Sequence, residues 1–144
     1  RISPNMSHWN GFLAMSFTYG NGDLQRAKEC VEKTIRVSPR DPLLFGFYNC
    51  LGQIYYQMGE LDKALEYCKS SLLMNSSWDT SHIMVIAILV ELGDIGEAEK
   101  IASKLLTLDN KTSVRRVDQS YNFPNQNLKV KMIEGLRRAG IPES

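Results

Sequence analysis

Gly59-Glu60-Leu61-Asp62-Lys63-Ala64 and Gly93-Asp94-Ile95-Gly96-Glu97-Ala98 are one word written twice, 34 positions apart. Gly22-Asp23-Leu24-Gln25-Arg26-Ala27 is a third copy, 37 positions ahead of the first of these. A second word, Arg1-Ile2-Ser3-Pro4, returns 35 positions later as Arg36-Val37-Ser38-Pro39. Two unrelated words at nearly one period define an internal repeat. A period in this range means stacked units, none of which can bury its apolar side alone.

The residues that follow each word set the local structure. Leu24, Ala27, Val31, Thr34 and Ile35 recur at spacings of three and four. So do Leu61, Ala64, Leu65, Cys68, Ser71 and Leu72, and then Ile95, Ala98, Ala102, Leu105 and Leu106. This is the period of a helix with one buried stripe. Asp23 and Asp94 are N-cap residues, and Glu97 completes a capping box with Asp94. Gly59 and Gly93 take the left-handed position that ends the helix before them. Pro39 and Pro42 bracket Asp41, where one helix stops and the next begins. The alanines let neighbouring helices approach closely. Each unit therefore reads as a helical hairpin, helix A then helix B. The chain divides into the end of a preceding repeat (1–5), units over 6–41, 42–78 and 79–112, and a linker with a capping helix (113–144).

The second unit carries Tyr48, Leu51, Gly52 and Tyr55, then Ala64 and Cys68, with Ser76 at its end. The first carries Leu13, Ala14, Phe17, Ala27, Val31 and Pro39, with one extra residue in its Gly20-Asn21-Gly22 turn. The third has His82, Val85, Ile86 and Leu89, then Ala98, Ala102 and Asn110. This pattern resembles the tetratricopeptide repeat family, whose unit reads W-x2-L-G-x2-Y, A-x3-F, P. The resemblance covers most of residues 6–112. It implies an all-α, right-handed α-α superhelix of about three hairpins plus a C-terminal capping helix, with helix A lining the concave side.

In that frame a peptide-binding groove falls on the helix A residues not used for packing. They are His8, Gly11, Met15, Thr18 and Tyr19 in the first unit, and Asn49, Gln53, Tyr56 and Gln57 in the second. In the third they are Ile83, Ala87, Val90 and Glu91. Amides, tyrosines and aliphatics suit a peptide with apolar anchors. The chaperone-adaptor branch of the family grips a C-terminal carboxylate with cationic side chains on these faces. Helix A of all three units here lacks Lys and Arg, which argues against such a clamp.

Two phrases, Ile35 to Pro42 and Glu134 to Glu143, resemble the C-terminal repeat regions of bacterial multidomain regulators such as class III adenylate cyclases and winged-helix activators. This implies a docking or sensing arm of a larger signalling or transcriptional protein. The opening Arg1-Ile2-Ser3-Pro4 agrees with a fragment of a longer chain.

Composition narrows the function. In 144 residues, 43% are hydrophobic and the formal net charge is +1, so no strong field points to nucleic acid or a membrane surface. The longest apolar run, Ile83 to Val90, is far shorter than a membrane span. Cys30, Cys50 and Cys68 form no C-x-x-C pair and fit a reducing cytoplasm. His8 and His82 have no ligand partners at metal spacing, and no nucleophile or phosphate-loop motif is present. The expected protein is a non-catalytic interaction module without cofactor or metal. Its partner is a protein or peptide in the concave groove, and a homodimer is an option. The alternatives are a small-ligand-sensing or dimerisation domain of a cyclase, centred on Gln53, Tyr56 and Gln57, and then a chaperone adaptor.

Ile83 to Val90 is apolar all round, so it must be covered all round. Its own helix B, the neighbouring unit and the cap can do this. The additional candidates are Tyr121 and Phe123 folding back over the concave side, or a second copy of the chain. After Asn110 the repeat fades. A helix is expected to begin within Lys111 to Arg116, followed by a loop over Tyr121 to Asn125 and an amphipathic cap over Leu128 to Ala139, with Leu128, Met132, Ile133 and Leu136 on one face.

Overall fold

A computed structural model describes residues 23–121, 123 and 125–144, and these form seven helices. They are α1 (Leu24–Val37), α2 (Leu44–Gln57), α3 (Leu61–Met74), α4 (Asp79–Glu91), α5 (Ile95–Leu108), α6 (Val114–Ser120) and α7 (Gln126–Arg138). Among the described residues there is no strand, and the architecture is an all-α repeat superhelix. No helix among the described residues is long and apolar enough to cross a membrane.

The helix ends follow from their residues. Asp23 accepts a hydrogen bond from the Arg26 amide at 3.2 Å, and Asp94 one from the Glu97 amide at 3.3 Å. Both satisfy amides that the helix cannot pair internally. Gly59 (φ 83°) and Gly93 (φ 88°) close α2 and α4 in the left-handed region. Asp41 accepts from the Leu43 amide at 2.8 Å and turns the chain into α2. His8 and the rest of residues 1–22, where helix A of the first unit is expected, lie outside the described residues.

Consecutive helices pack as hairpins, α2 on α3 and α4 on α5, with α1 against α2 and α3 against α4. The small residues work as spacers. A Cβ added to Gly52 would run into Cys68 Sγ and stand 3.2 Å from both the Ala64 carbonyl oxygen and the Cys68 nitrogen. Only glycine lets α2 approach α3 this closely. Ser71 ties three elements together: its hydroxyl donates to the Phe45 carbonyl at 2.6 Å and sits 2.8 Å from the Ser81 hydroxyl.

α4 is buried from Ser81 to Val90. Its neighbours are α3, α5, α2 and, on the remaining side, α7. α7 fits because Gly135 faces it: a Cβ there would lie 3.5 Å from Val90 Cβ and 3.8 Å from Ala87 Cα. Met132, Ile133 and Leu136 are buried in the same contact face. The cover of the apolar helix is thus intrachain. The end of the chain is fastened as well. The Val114 and Arg115 amides donate to the Pro142 and Glu143 carbonyls at 2.8 and 3.0 Å, and Arg137 Nε reaches Glu143 at 2.7 Å.

Candidate functional site

The inner side of the stack is formed by α2 and α4. Among the residues expected to bind, Asn49, Gln53, Tyr56, Ile83, Ala87 and Val90 are buried, while Gln57 and Glu91 are half-buried. Their burial comes from residues that follow the repeats. The Phe123 ring, 1% exposed, lies 6.2 Å from the ring of Tyr56, and Tyr121 lies edge-on to Phe123 at 6.0 Å. Tyr121 also shares a cavity of about 150 Å³ with Ile83 and Val117. Ala87 and Val90 sit beneath α7. Met15, Thr18 and Tyr19 join His8 and Gly11 outside the described residues.

One stretch of the inner side stays open. Gly46, Asn49, Cys50 and Gln53 of α2 form one wall of a cleft of about 240 Å³, with Trp78, Thr80, Ser120 and Tyr121 opposite. Asn49 and Gln53 are one helical turn apart, and Gln53 Nε2 donates to Asn49 Oδ1 at 2.7 Å. That leaves Asn49 Nδ2 buried without a partner, in a residue that is 0% exposed. Trp78 is held by Phe45, ring to ring at 5.1 Å. Sequence reasoning singled out Asn49 and Gln53, and Tyr121 as a tail residue folding back over the concave side, but not Gly46, Cys50, Trp78, Thr80 or Ser120. Gly46 precedes Asn49 by three and Gln53 by seven, so the helical period already placed it on that stripe. Trp78 and Ser120 carried no local signal.

Deeper in, the Tyr56 hydroxyl and Glu91 Oε2 are buried near each other without forming a well-aligned hydrogen bond. Burial, and then the Glu91 carboxylate, raise the Tyr56 phenol above its ordinary range. Burial also pushes the Cys50 thiol up to about 12, and the Cys68 thiol higher still. Both therefore stay protonated and unreactive at neutral pH. Among the described residues no group of His, Cys, Asp and Glu side chains is placed to hold a metal ion.

Residues 47–77 match the model of the tetratricopeptide repeat. These residues are a tetratricopeptide repeat. The chain's structural likenesses agree. The second such domain of human RPAP3, solved with an HSP70 peptide, is 17% identical with a TM-score of 0.65, covering 94% of this chain and 98% of that one. The Yersinia enterocolitica type III secretion chaperone SycD, in complex with a peptide of the translocator YopD, is 18% identical with a TM-score of 0.69, covering 95% and 96%. PcrH from Pseudomonas aeruginosa is 15% identical with a TM-score of 0.69, covering 96% and 95%. At these identities the likeness is one of fold. A protein of Pyropia yezoensis described as uncharacterized protein ycf37 is 28% identical over 88 residues, 60% of this chain. That stretch is 49% of the relative, so the chain spans about half of its length.

Proposed function

We propose that this tetratricopeptide-repeat chain is an interaction module that holds an extended stretch of a partner protein on its inner side, entering through the cleft between α2 and Tyr121. The observation that carries this reading is Asn49 Nδ2, a buried donor without a partner in the cleft wall. A buried donor left unpaired is costly, and a backbone carbonyl of an extended segment is its natural acceptor. With no Lys or Arg on α2 or α4, the segment is held by amide and apolar contacts, not by its carboxylate. The peptides in the RPAP3 and SycD structures are precedents on the same fold.

In a longer protein the module acts as the C-terminal arm of a bacterial, cytoplasmic signalling or transcriptional regulator, such as a nucleotide cyclase. The support is the resemblance carried by Ile35 to Pro42 and Glu134 to Glu143. The small-ligand reading at Gln53, Tyr56 and Gln57 is weaker, because Phe123 lies over Tyr56 and the three do not converge on one open cavity. Dimerisation through α4 is weaker too, since α7 already covers its inner side.

The test is a random-peptide display selection on the intact chain, followed by binding to variants. Gly46→Trp fills the cleft mouth from a position where an added Cβ meets nothing within 4 Å. Selected peptides are expected to lose the Gly46→Trp variant and to bind Asn49→Ala more weakly. Peptides that bind Gly46→Trp as well as the parent chain would place the partner elsewhere.

A further inference from the structure

The repeat supplies its own control for the outer side of the stack. Tyr48, Tyr55 and Tyr67 pack together where α2 meets α3, Tyr48 edge-on to Tyr67 at 5.9 Å and Tyr55 stacked on Tyr67 at 5.5 Å. Lys28 and Lys63 each lie 5.4 Å from the Tyr55 ring. Advance these three by 34 positions and they become His82, Leu89 and Ile101. The bulk of the aromatic rings is gone, and a groove of about 370 Å³ opens between α3, α4 and α5.

The charge changes together with the volume. The residues that α1 presents at the earlier seam in register are Glu32, Ile35 and Arg36, a mixed pair of charges around one aliphatic. In α3 the same positions, 37 later, are Lys69, Leu72 and Leu73. Ser70 of α3 becomes Lys104 of α5. Leu72, Val85 and Ile101 give the groove apolar walls, and Lys69 and Lys104 stand at its rim with no acid among the lining residues. Neither lysine forms an ion pair within the described residues. Leu73 at the edge is 87% exposed. An open apolar trough flanked by two unpaired ammonium groups is complementary to an anionic amphipathic segment.

We propose that this outer groove docks a short acidic segment of a second protein, which inserts an aliphatic or aromatic side chain against Leu72, Val85 and Ile101 and sets carboxylates on Lys69 and Lys104. The site lies on the opposite side of α4 from the cap and is independent of the inner cleft. It lets one chain hold two partners at once.

The experiment is methyl NMR on the full chain titrated with two end-capped synthetic peptides, EELFEE and KKLFKK. EELFEE is expected to shift the methyls of Leu72, Val85 and Ile101 saturably and to bind about tenfold more tightly than KKLFKK, with the gap closing as salt rises. In Lys69→Glu/Lys104→Glu, two surface changes that leave the core alone, the preference reverses. In His82→Tyr/Ile101→Tyr, which restores the tyrosines of the earlier seam, both peptides lose the site. The proposal is overturned if the two peptides bind the parent chain equally, if EELFEE does not bind at millimolar concentration, or if its shifts fall at Asn49 and Tyr121 instead.

Discussion

α2 and α4 hold the same place in consecutive repeats, and their inner residues differ in kind. Asn49, Gln53 and Tyr56 of α2 stand in register with Ile83, Ala87 and Val90 of α4. Asn49 and Gln53 border a cleft, and Asn49 Nδ2 is buried there without a hydrogen-bond partner, while Tyr56 lies beneath Phe123. The apolar set lies beneath the chain's own tail, with Gly135 of α7 against Ala87 and Val90. A repeat at the end of a stack has no following unit and must be capped. The inner face of α4 thus has a permanent occupant in the chain's own cap, whereas the cleft beside Asn49 and Gln53 is where the proposed function places a partner from outside.

The contrast breaks most visibly if the cap is detached. Leu136 is fully buried in α7, and Leu136→Asp places an unpaired charge there. We expect a loss of about 3–5 kcal/mol in urea denaturation, with α4 exposed and the protein prone to associate. Next in size is the spacing of the two hairpins. Gly52→Ala forces a methyl onto Cys68 Sγ and the α3 backbone, which is expected to cost about 1–3 kcal/mol. The register counterparts in the next hairpin are Ile86 and Ala102, a large residue facing a small one. Adding Cys68→Ala to Gly52→Ala should therefore recover part of the loss, which a double-mutant cycle measures.

Alkaline titration separates the two regions by chemistry. Cys50, Tyr56 and Cys68 all belong to the second unit, and their folded pKa values are raised above the unfolded 9.0 for the thiols and 10.0 for the phenol. Below those unfolded values both states keep the proton and stability is unaffected. Above them the unfolded chain releases protons that the folded chain retains, so stability falls as pH rises. The slope is about 1.4 kcal/mol per pH unit for each group. Tyr56→Phe and Cys68→Ala should each make it shallower in denaturation curves recorded from pH 8 upward. The smallest effect expected is a gain. Gly46→Ala, in open space on α2, should stabilise by about 1 kcal/mol.

The repeat and its hairpins are written locally, which is why they are legible. Asp94 caps α5, Gly93 ends α4, and the alanines recur because helices must touch there. The tail was legible in outline. Its first helix begins at Val114, inside the stretch from Lys111 to Arg116, because the Ser113 hydroxyl accepts from the Arg116 amide and fixes the start. Asn125 does the same for α7, which starts at Gln126, ahead of Leu128. The fold-back of Tyr121 and Phe123 was among the expected covers, but that Tyr121 would face Asn49, or Gly135 meet Val90, was not legible. Residues so far apart in the chain are brought together by the path of the tail, and no period encodes that path. Gly135 stood in a phrase of the sequence without showing that it would face a helix three elements earlier.

The central claim is that the chain's own C-terminal helix closes the inner face of α4. The most direct test is Val90→Cys/Gly135→Cys in a Cys30→Ser background, oxidised at low protein concentration. The Cβ separation of 3.5 Å at this pair lies at the short edge of disulfide geometry. The account predicts a quantitative intrachain disulfide in a monomer that melts higher than its reduced form. Disulfide-linked dimers, or two thiols that stay free in the folded protein, would contradict it.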